Sequence, residues 1–297
     1  MIALEVKDLN KKYEDFSLQD VSFQLEQGYI MGFIGANGAG KTTTIKLILN
    51  LLKKQSGTIT VLGFDHIREE QKFKERTGVV FDTHFFVDEW KMADVEKAMG
   101  MFYENWDTEI YYKYLEQFQI NRNKSVMELS KGMQMKLMLA CSFSHKAELL
   151  ILDEPTSGLD PLMQNAFVEL IQEEKQRGKT ILMSSHMFEE VEKTCDRIGI
   201  IRQGHMAAIE DTVILQKNKT KTYILTFADS SQTQRFLQER LQMKQISELC
   251  VHVYVREDLK VLLQLLPAYE LRDLNVATQS LEDIFLQYYG EKGEAHE

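Results

Sequence analysis

The chain has 297 residues, 44% hydrophobic and 27% charged, with three prolines and a formal net charge of -10 at pH 7. This balance is ordinary for a folded globular protein, and the length accommodates one large α/β domain plus a smaller unit. The negative charge opposes sequence-independent binding to nucleic acid, no apolar run approaches the roughly 18 to 20 residues that cross a bilayer, Met1 to Lys11 lacks a secretion-signal pattern, and Cys141, Cys195 and Cys250 are too scattered for a disulfide framework or a zinc site, so a cytoplasmic chain is expected.

In chain order, Tyr29 to Ile34 is a short apolar run that predicts a strand. It ends at Gly35-Ala36-Asn37-Gly38-Ala39-Gly40-Lys41-Thr42, after which Ile45, Ile48, Leu49 and Leu52 fall on one face of a predicted helix. A strand, a glycine-rich loop and a helix make an anion cradle, because the glycines let backbone N–H groups turn inward where the helix dipole is positive. Lys41 then reaches the β- and γ-phosphates of a nucleotide, and Thr42 offers a hydroxyl to Mg²⁺. By average residue usage, a chance match to this pattern in a chain of such length is about a one-in-a-hundred event. Gly57, past Lys53 and Lys54, reads as the stop of this helix.

Helices are predicted at 88–101 and 108–118, among the aromatics Phe85, Phe86, Trp90, Phe102, Tyr103 and Trp106. Met127, Met133, Met135 and Met138 have the spacing of core packing. Glu148-Leu149-Leu150-Ile151-Leu152-Asp153-Glu154 is a continuous apolar run ending in two carboxylates, the pattern of a buried parallel strand that delivers acids to its C-terminal edge. There Asp153 would hold Mg²⁺ through water, and Glu154 would act as general base on the water attacking the γ-phosphate. Further strands are predicted at 180–183 and 198–201, the latter followed by a turn at Gln203-Gly204. The polar stretch 216–221 marks a boundary: residues 1–214 form one domain and 215–297 an accessory α+β domain, with strands at 223–227 and 250–255 and helices at 233–243 and 259–266. Residues 291–297 read as a frayed acidic tail.

Neither Asn123-Lys124-Ser125-Val126 nor Asn218-Lys219-Thr220-Lys221 completes the Asn-Lys-x-Asp guanine motif, which excludes a GTPase. The phosphate loop, Leu129-Ser130-Lys131-Gly132-Met133, the acidic strand, Pro155-Thr156-Ser157-Gly158-Leu159-Asp160 and Ser184-Ser185-His186, in that order, resemble the nucleotide-binding subunits of ABC transporters. The resemblance implies an α/β P-loop NTPase cassette, with a RecA-like core sheet and a helical subdomain at about 83–145. Its expected ligands are ATP and Mg²⁺. The nucleotide-binding residues it implies are Tyr13, stacked on adenine, Gly35, Asn37, Gly38, Ala39, Gly40, Lys41, Thr42 and Thr43, with Ser130, Gly132 and Asp160 acting across a dimer. Glu154, His186 and Lys41 are the implied catalytic residues, and Thr42, Asp153 and Asp82 the implied metal-side residues. Taken by itself, Tyr13 fits a half-buried surface tyrosine nearly as well, and Ser-Lys-Gly fits a helix cap.

Three positions depart from the family pattern. Lys131 and Met133 replace a glycine and a glutamine of the Leu-Ser-Gly-Gly-Gln signature, and Asp82 stands where the family usually places a glutamine, after the strand Gly78-Val79-Val80-Phe81. These variants, with Ser280-Leu281-Glu282-Asp283-Ile284-Phe285, resemble the exporter-type, ABC-2-like branch, including bacterial exporters of phenol-soluble modulins and lantibiotic-immunity systems. The implied partners are a transmembrane permease and a second cassette, identical or homologous, at the inner face of the cell membrane, with no nucleic acid. The alternatives are a degenerate cassette acting as a structural partner and a soluble ABC ATPase acting on ribosomes or DNA.

Overall fold

The computed structural model describes residues 1–217, 221–255 and 259–278. The chain divides into two compact units, Met1–Thr212 and Val213–Glu297. The Ser280 to Phe285 motif and the acidic tail lie outside the described residues.

The first unit opens with two long strands, β1 (Ile2–Lys12) and β2 (Ser17–Glu26), which were not anticipated from the sequence. Val21, Phe23 and Leu25 alternate inward along β2, the period-2 pattern of a strand with one buried face. Strand β3 (Ile30–Ile34) is buried at every position and feeds helix α1 (Lys41–Ile48). Next come β4 (Ser56–Val61), β5 (Phe64–Asp65), α2 (Glu70–Glu75) and β6 (Thr77–Val80). Three helices follow: α3 (Met92–Phe102), α4 (Thr108–Gln117) and α5 (Lys131–Ser144). The unit then alternates strand and helix through β7 (Leu149–Asp153), α6 (Pro161–Gln176), β8 (Thr180–Ser185) and α7 (Phe188–Thr194), and closes with β9 (Arg197–Arg202) and β10 (His205–Asp211).

These strands form two sheets. One is antiparallel, in the order β2-β1-β4-β5; the other has the order β10-β9-β3-β8-β7-β6 and is parallel except at β10. The phosphate loop and the two acids thus leave the C-terminal ends of β3 and β7, which flank β8, and ligands bind at such edges. Leu4, Val6 and Leu9 of β1, Met31 and Phe33 of β3, and Ile45, Leu47 and Ile48 of α1 belong to one core. The glycine loop is therefore held between rigid elements. Aromatic contacts order the helical segment, with Tyr111 fully buried and its hydroxyl donating to the Met92 carbonyl at 3.0 Å.

The second unit contains α8 (Thr212–Lys217), which spans the boundary, followed by β11 (Lys221–Phe227), α9 (Ser230–Phe236), β12 (Met243–Gln245), β13 (Cys250–Val255), α10 (Leu259–Leu265) and β14 (Leu271–Thr278). Its antiparallel sheet has the order β12-β13-β11-β14. Tyr223, Leu225 and Phe227 alternate inward from β11 to meet Phe236 and Tyr269 in a separate core.

Four expectations are corrected. Gly57 does not stop α1. The helix ends at Ile48, Asn50 takes the left-handed conformation (φ 55°), and Gly57 lies in β4, where a Cβ would sit 2.4 Å from the Asp8 carbonyl oxygen of β1. Asparagine tolerates that conformation, so it serves where a glycine was expected. The helix expected at 88–101 begins at Met92, because Lys91 has extended backbone and its N–H bonds the Asp94 carboxylate. The helix expected at 233–243 is α9, seven residues long and capped by Asp229, and Met243 instead opens β12. Of the methionines expected to pack, Met135 and Met138 are buried but Met127 is 64% exposed.

His145 closes α5. Its Nδ1 lies 3.0 Å from the Cys141 carbonyl and its Nε2 3.3 Å from that of Thr77, while its ring stacks on Tyr103 at 3.9 Å. Burial outweighs these two carbonyls and lowers its pKa to about 4. The unfolded chain therefore binds more protons than the folded one between about pH 4 and 6.5, and stability is lost as pH falls through that window. The loss should reach about 3 kcal/mol near pH 4. Thermal melts from pH 7 to 4 should show this limb, and His145→Phe should flatten it.

Candidate functional site

The loop after β3 has left-handed backbone at Gly38 (φ 79°) and Gly40 (φ 115°). At Gly40 a Cβ would meet Leu18 Cδ2 at 2.7 Å and Phe16 Cζ at 3.0 Å, and at Gly35 it would meet the Ile201 carbonyl at 2.4 Å. Both the conformation and the close packing therefore require glycine. Asn37 and Gly38 lie exposed on the loop, whereas Ala39 is buried and its N–H bonds the Ala36 carbonyl at 3.1 Å. Thr42 is exposed and Thr43 half-buried on the first turn of α1, which carries no acidic residue there. An anion at this helix start meets N–H groups and a positive dipole end.

Lys41 is 5% exposed and folds back over the loop, with Nζ 2.6 Å from the Gly35 carbonyl and 3.1 Å from Glu154 Oε1. The other carboxylate oxygen of Glu154 lies 2.7 Å from Nδ1 of His186. Asp153 Oδ1 accepts hydrogen bonds from Ser184 Oγ at 2.6 Å and Thr42 Oγ1 at 3.2 Å, and the Glu154 N–H donates to Ser184 Oγ at 2.9 Å. Residues at the start of α1 and at the ends of β7 and β8, remote in sequence, thus form one network. Glu154 has φ 50°, a left-handed conformation that costs a non-glycine residue roughly 1–2 kcal/mol. Such strain persists where surrounding contacts over-determine it, and here Lys41, His186 and Ser184 hold the residue on three sides.

Thr42 Oγ1 and Asp153 Oδ1 present two hard oxygen donors beside a phosphate cradle. Their 3.2 Å spacing is close to the edge of an octahedron around Mg²⁺, about 3 Å. The donor set fits that ion, which binds through one or two protein oxygens and completes its shell with water and phosphate.

A second group gathers at the start of α5. Ser130 caps the helix by accepting from the Met133 N–H at 3.3 Å, and Asp160 caps α6 by accepting from the Met163 N–H at 2.9 Å. A Cβ on Gly132 would meet Leu159 at 3.2 Å, so the two turns are packed together. Two of the three departures from the family pattern meet here, since Lys131 Nζ lies 2.5 Å from Asp82 Oδ1 and its side chain runs past Gly158. Asp82 spends its charge on Lys131, and the pair is half-exposed. Tyr13 lies in the turn between β1 and β2, 40% exposed, with its N–H on the Phe16 carbonyl and Lys11 Nζ 5.3 Å from its ring centroid. Phe16 in turn fills the space beside Gly40, so the tyrosine is tied to the phosphate loop.

Sequence reasoning missed Phe16, Ser184, Ser185 and Glu190. Ser184 was recoverable in principle, since a hydroxyl at the C-terminal end of a buried strand must find a partner; its register opposite Asp153 was not.

A family model described as "ABC transporter" matches residues 18–157. The chain is 33% identical over 236 residues to the "ABC transporter ATP-binding protein NatA" of Bacillus subtilis (strain 168), covering 74% of this chain and 96% of that one. It is 31% identical to the "Linearmycin resistance ATP-binding protein LnrL" of the same organism, over 97% of this chain and 98% of that protein. It is 30% identical to the "Nod factor export ATP-binding protein I" of Rhizobium meliloti (strain 1021), over 97% and 88%. A solved "Structure of ATP binding subunit of ABC transporter" superposes with a TM-score of 0.66 at 31% identity, covering 72% of this chain and 92% of that chain.

The Asp82–Lys131 pair predicts a small, salt-sensitive coupling. In a double-mutant cycle of Asp82→Asn and Lys131→Met, measured by denaturant unfolding, the coupling energy should be about 0.2–1 kcal/mol at low salt and decline at 1 M salt. Strict additivity would leave the two departures independent of each other.

Proposed function

The chain belongs to the ATP-binding subunits of ABC transporters, and from that premise we propose that it is an ATPase that closes on ATP with a second cassette to drive export through a separate membrane permease. Subunits of this family bind ATP, dimerise and work with a permease. The observation that carries the ATPase reading is the Glu154 carboxylate held between Lys41 and His186, next to the Thr42–Asp153 pair.

In this reading the arriving polyphosphate takes over Lys41, which gives up the Gly35 carbonyl and Glu154. Glu154 is then free to accept a proton from a water directed at the γ-phosphate, and His186 stays hydrogen-bonded to its other oxygen. Thr42 and Asp153 would hold Mg²⁺, which when bound would neutralise charge developing on the phosphates. Ser130 and Gly132, at the start of α5, face the nucleotide of the neighbouring cassette, with Asp160 beside them. Tyr13 offers an exposed ring face for adenine. Lys41, Glu154 and His186 are all present and connected, which weighs against a degenerate cassette.

The permease contact we assign to an apolar cavity of about 390 Å³ whose walls include Phe85, Phe86, Trp90, Phe102 and Tyr103. Phe85 is 54% and Phe102 78% exposed, an unusual outlay of aromatic surface unless a partner covers it. Trp106, by contrast, packs against Tyr111. Export is supported by the Nod factor export protein, which, like the linearmycin resistance protein LnrL, matches nearly the whole chain, second unit included, while NatA matches 74% of it. Amphipathic or antimicrobial peptides are the cargo we propose, on the resemblance of Asp82, Lys131 and the tail to peptide exporters.

The test is steady-state ATPase activity with Mg²⁺ at several protein concentrations, beside Glu154→Gln. Wild-type specific activity should rise with concentration, while the variant should lose about 10²–10⁴-fold in kcat and accumulate as an ATP-bound dimer. Equal inactivity of both, with permease present, would assign the chain to the degenerate class.

A further inference from the structure

Helix α7 follows directly on His186, and its second and third residues are both glutamates with opposite fates. The Glu189 side chain is 86% exposed, whereas Glu190 is 6% exposed. Burying a carboxylate is costly unless hydrogen bonds compensate. Helix packing alone would favour an apolar side chain at this position, as at Val191 next to it, which is fully buried.

The compensation Glu190 receives is specific. Its Oε2 accepts from Ser185 Oγ at 2.5 Å, and the same hydroxyl oxygen accepts the Met187 N–H at 3.0 Å. These two bonds bracket His186, whose backbone is pinned on one side by Ser185 and on the other by Met187. The other carboxylate oxygen of Glu190, Oε1, is buried without a hydrogen-bond partner. Burial raises the Glu190 pKa above the usual carboxylate range, and the nearby Glu154 charge acts in the same direction, opposed by Ser185, Thr156 and His186. Glu190 is therefore linked through Ser185 to the turn that presents His186.

We propose that Glu190 is a positioning residue for hydrolysis, acting through Ser185 to fix the turn that aims His186 at Glu154. This rests on the roles assigned above to Glu154 and His186. The chemistry asked of Glu190 is to accept the Ser185 hydroxyl, which glutamine can also do and leucine cannot.

The experiment compares Glu190→Leu, Glu190→Gln, Ser185→Ala, His186→Ala and the double variant Glu190→Leu/His186→Ala under the ATPase conditions above, with permease present and thermal melts recorded for each. Small displacements of a reacting group can cost up to about 10²-fold. Glu190→Leu and Ser185→Ala should therefore lower kcat by about tenfold or more while KM for ATP stays within about twofold. Glu190→Gln should remain within about threefold of wild type, and the double variant should be no slower than His186→Ala alone. Losses that multiply in the double variant, or an unchanged kcat in both Glu190→Leu and Ser185→Ala, would overturn the proposal. A second readout needs no activity: the ring resonance of His186 in the nucleotide-free chain, identified by its absence in His186→Ala, should move in Ser185→Ala and Glu190→Leu but not in Glu190→Gln. An unmoved resonance in the folded variants sinks the positioning role. If the resonance moves but wild type and Glu154→Gln are equally inactive, the ATPase reading has failed and the positioning of His186 has not.

Discussion

The structure turns on the carboxylate of Glu154, held between the ammonium of Lys41 and the imidazole of His186. Glu154 and His186 directly follow β7 and β8, Lys41 opens the helix reached by the loop after β3, and the parallel order β3-β8-β7 makes those strand ends neighbours. The left-handed backbone at Glu154 is maintained because Ser184 on β8 takes its N–H while Lys41 and His186 take its oxygens. In the function proposed above, the cation at the phosphate loop guards the acid until the nucleotide draws it away, so that phosphate binding and exposure of the base would be one event.

The hydroxyls at the end of β8 divide the labour. Ser184 ties the two acids of β7 together, and Ser185 ties the turn that carries His186 to a buried carboxylate on α7. Asp82 and Lys131 add a surface counterpart, linking the loop after β6 to the start of α5. Each replaces a residue usual in the family, and each supplies the charge that the other requires. Two departures that look unrelated along the chain are one change in space.

The second unit is a four-stranded antiparallel sheet with its own aromatic core, in which Phe227, Phe236 and Tyr269 pack with ring centroids 5.0–6.1 Å apart. Its length is shared with LnrL and the Nod factor export protein, so it is a feature of a subset of relatives rather than of the ATP-binding core alone.

The phosphate loop, the acidic strand and the order of the motifs were legible in the sequence because local backbone needs fix them. Glycine at φ 115°, a lysine opening a helix and an unbroken apolar strand ending in two acids are requirements that adjacent residues must satisfy together. The strands β12 and β14, the long strands β1 and β2, and the true place of Gly57 were not legible, because pairing with remote strands decides them: Gly57 is glycine on account of the Asp8 backbone, not of the helix before it. For the same reason the sequence marked the candidate residues for the chemistry, while only the tertiary structure decided which residues hold them. Glu190 belongs to no motif, and Ser184 and Ser185 are marked in the sequence only as neighbours of His186; their partners are chosen by the register of β8 against β7 and by the burial of one face of α7.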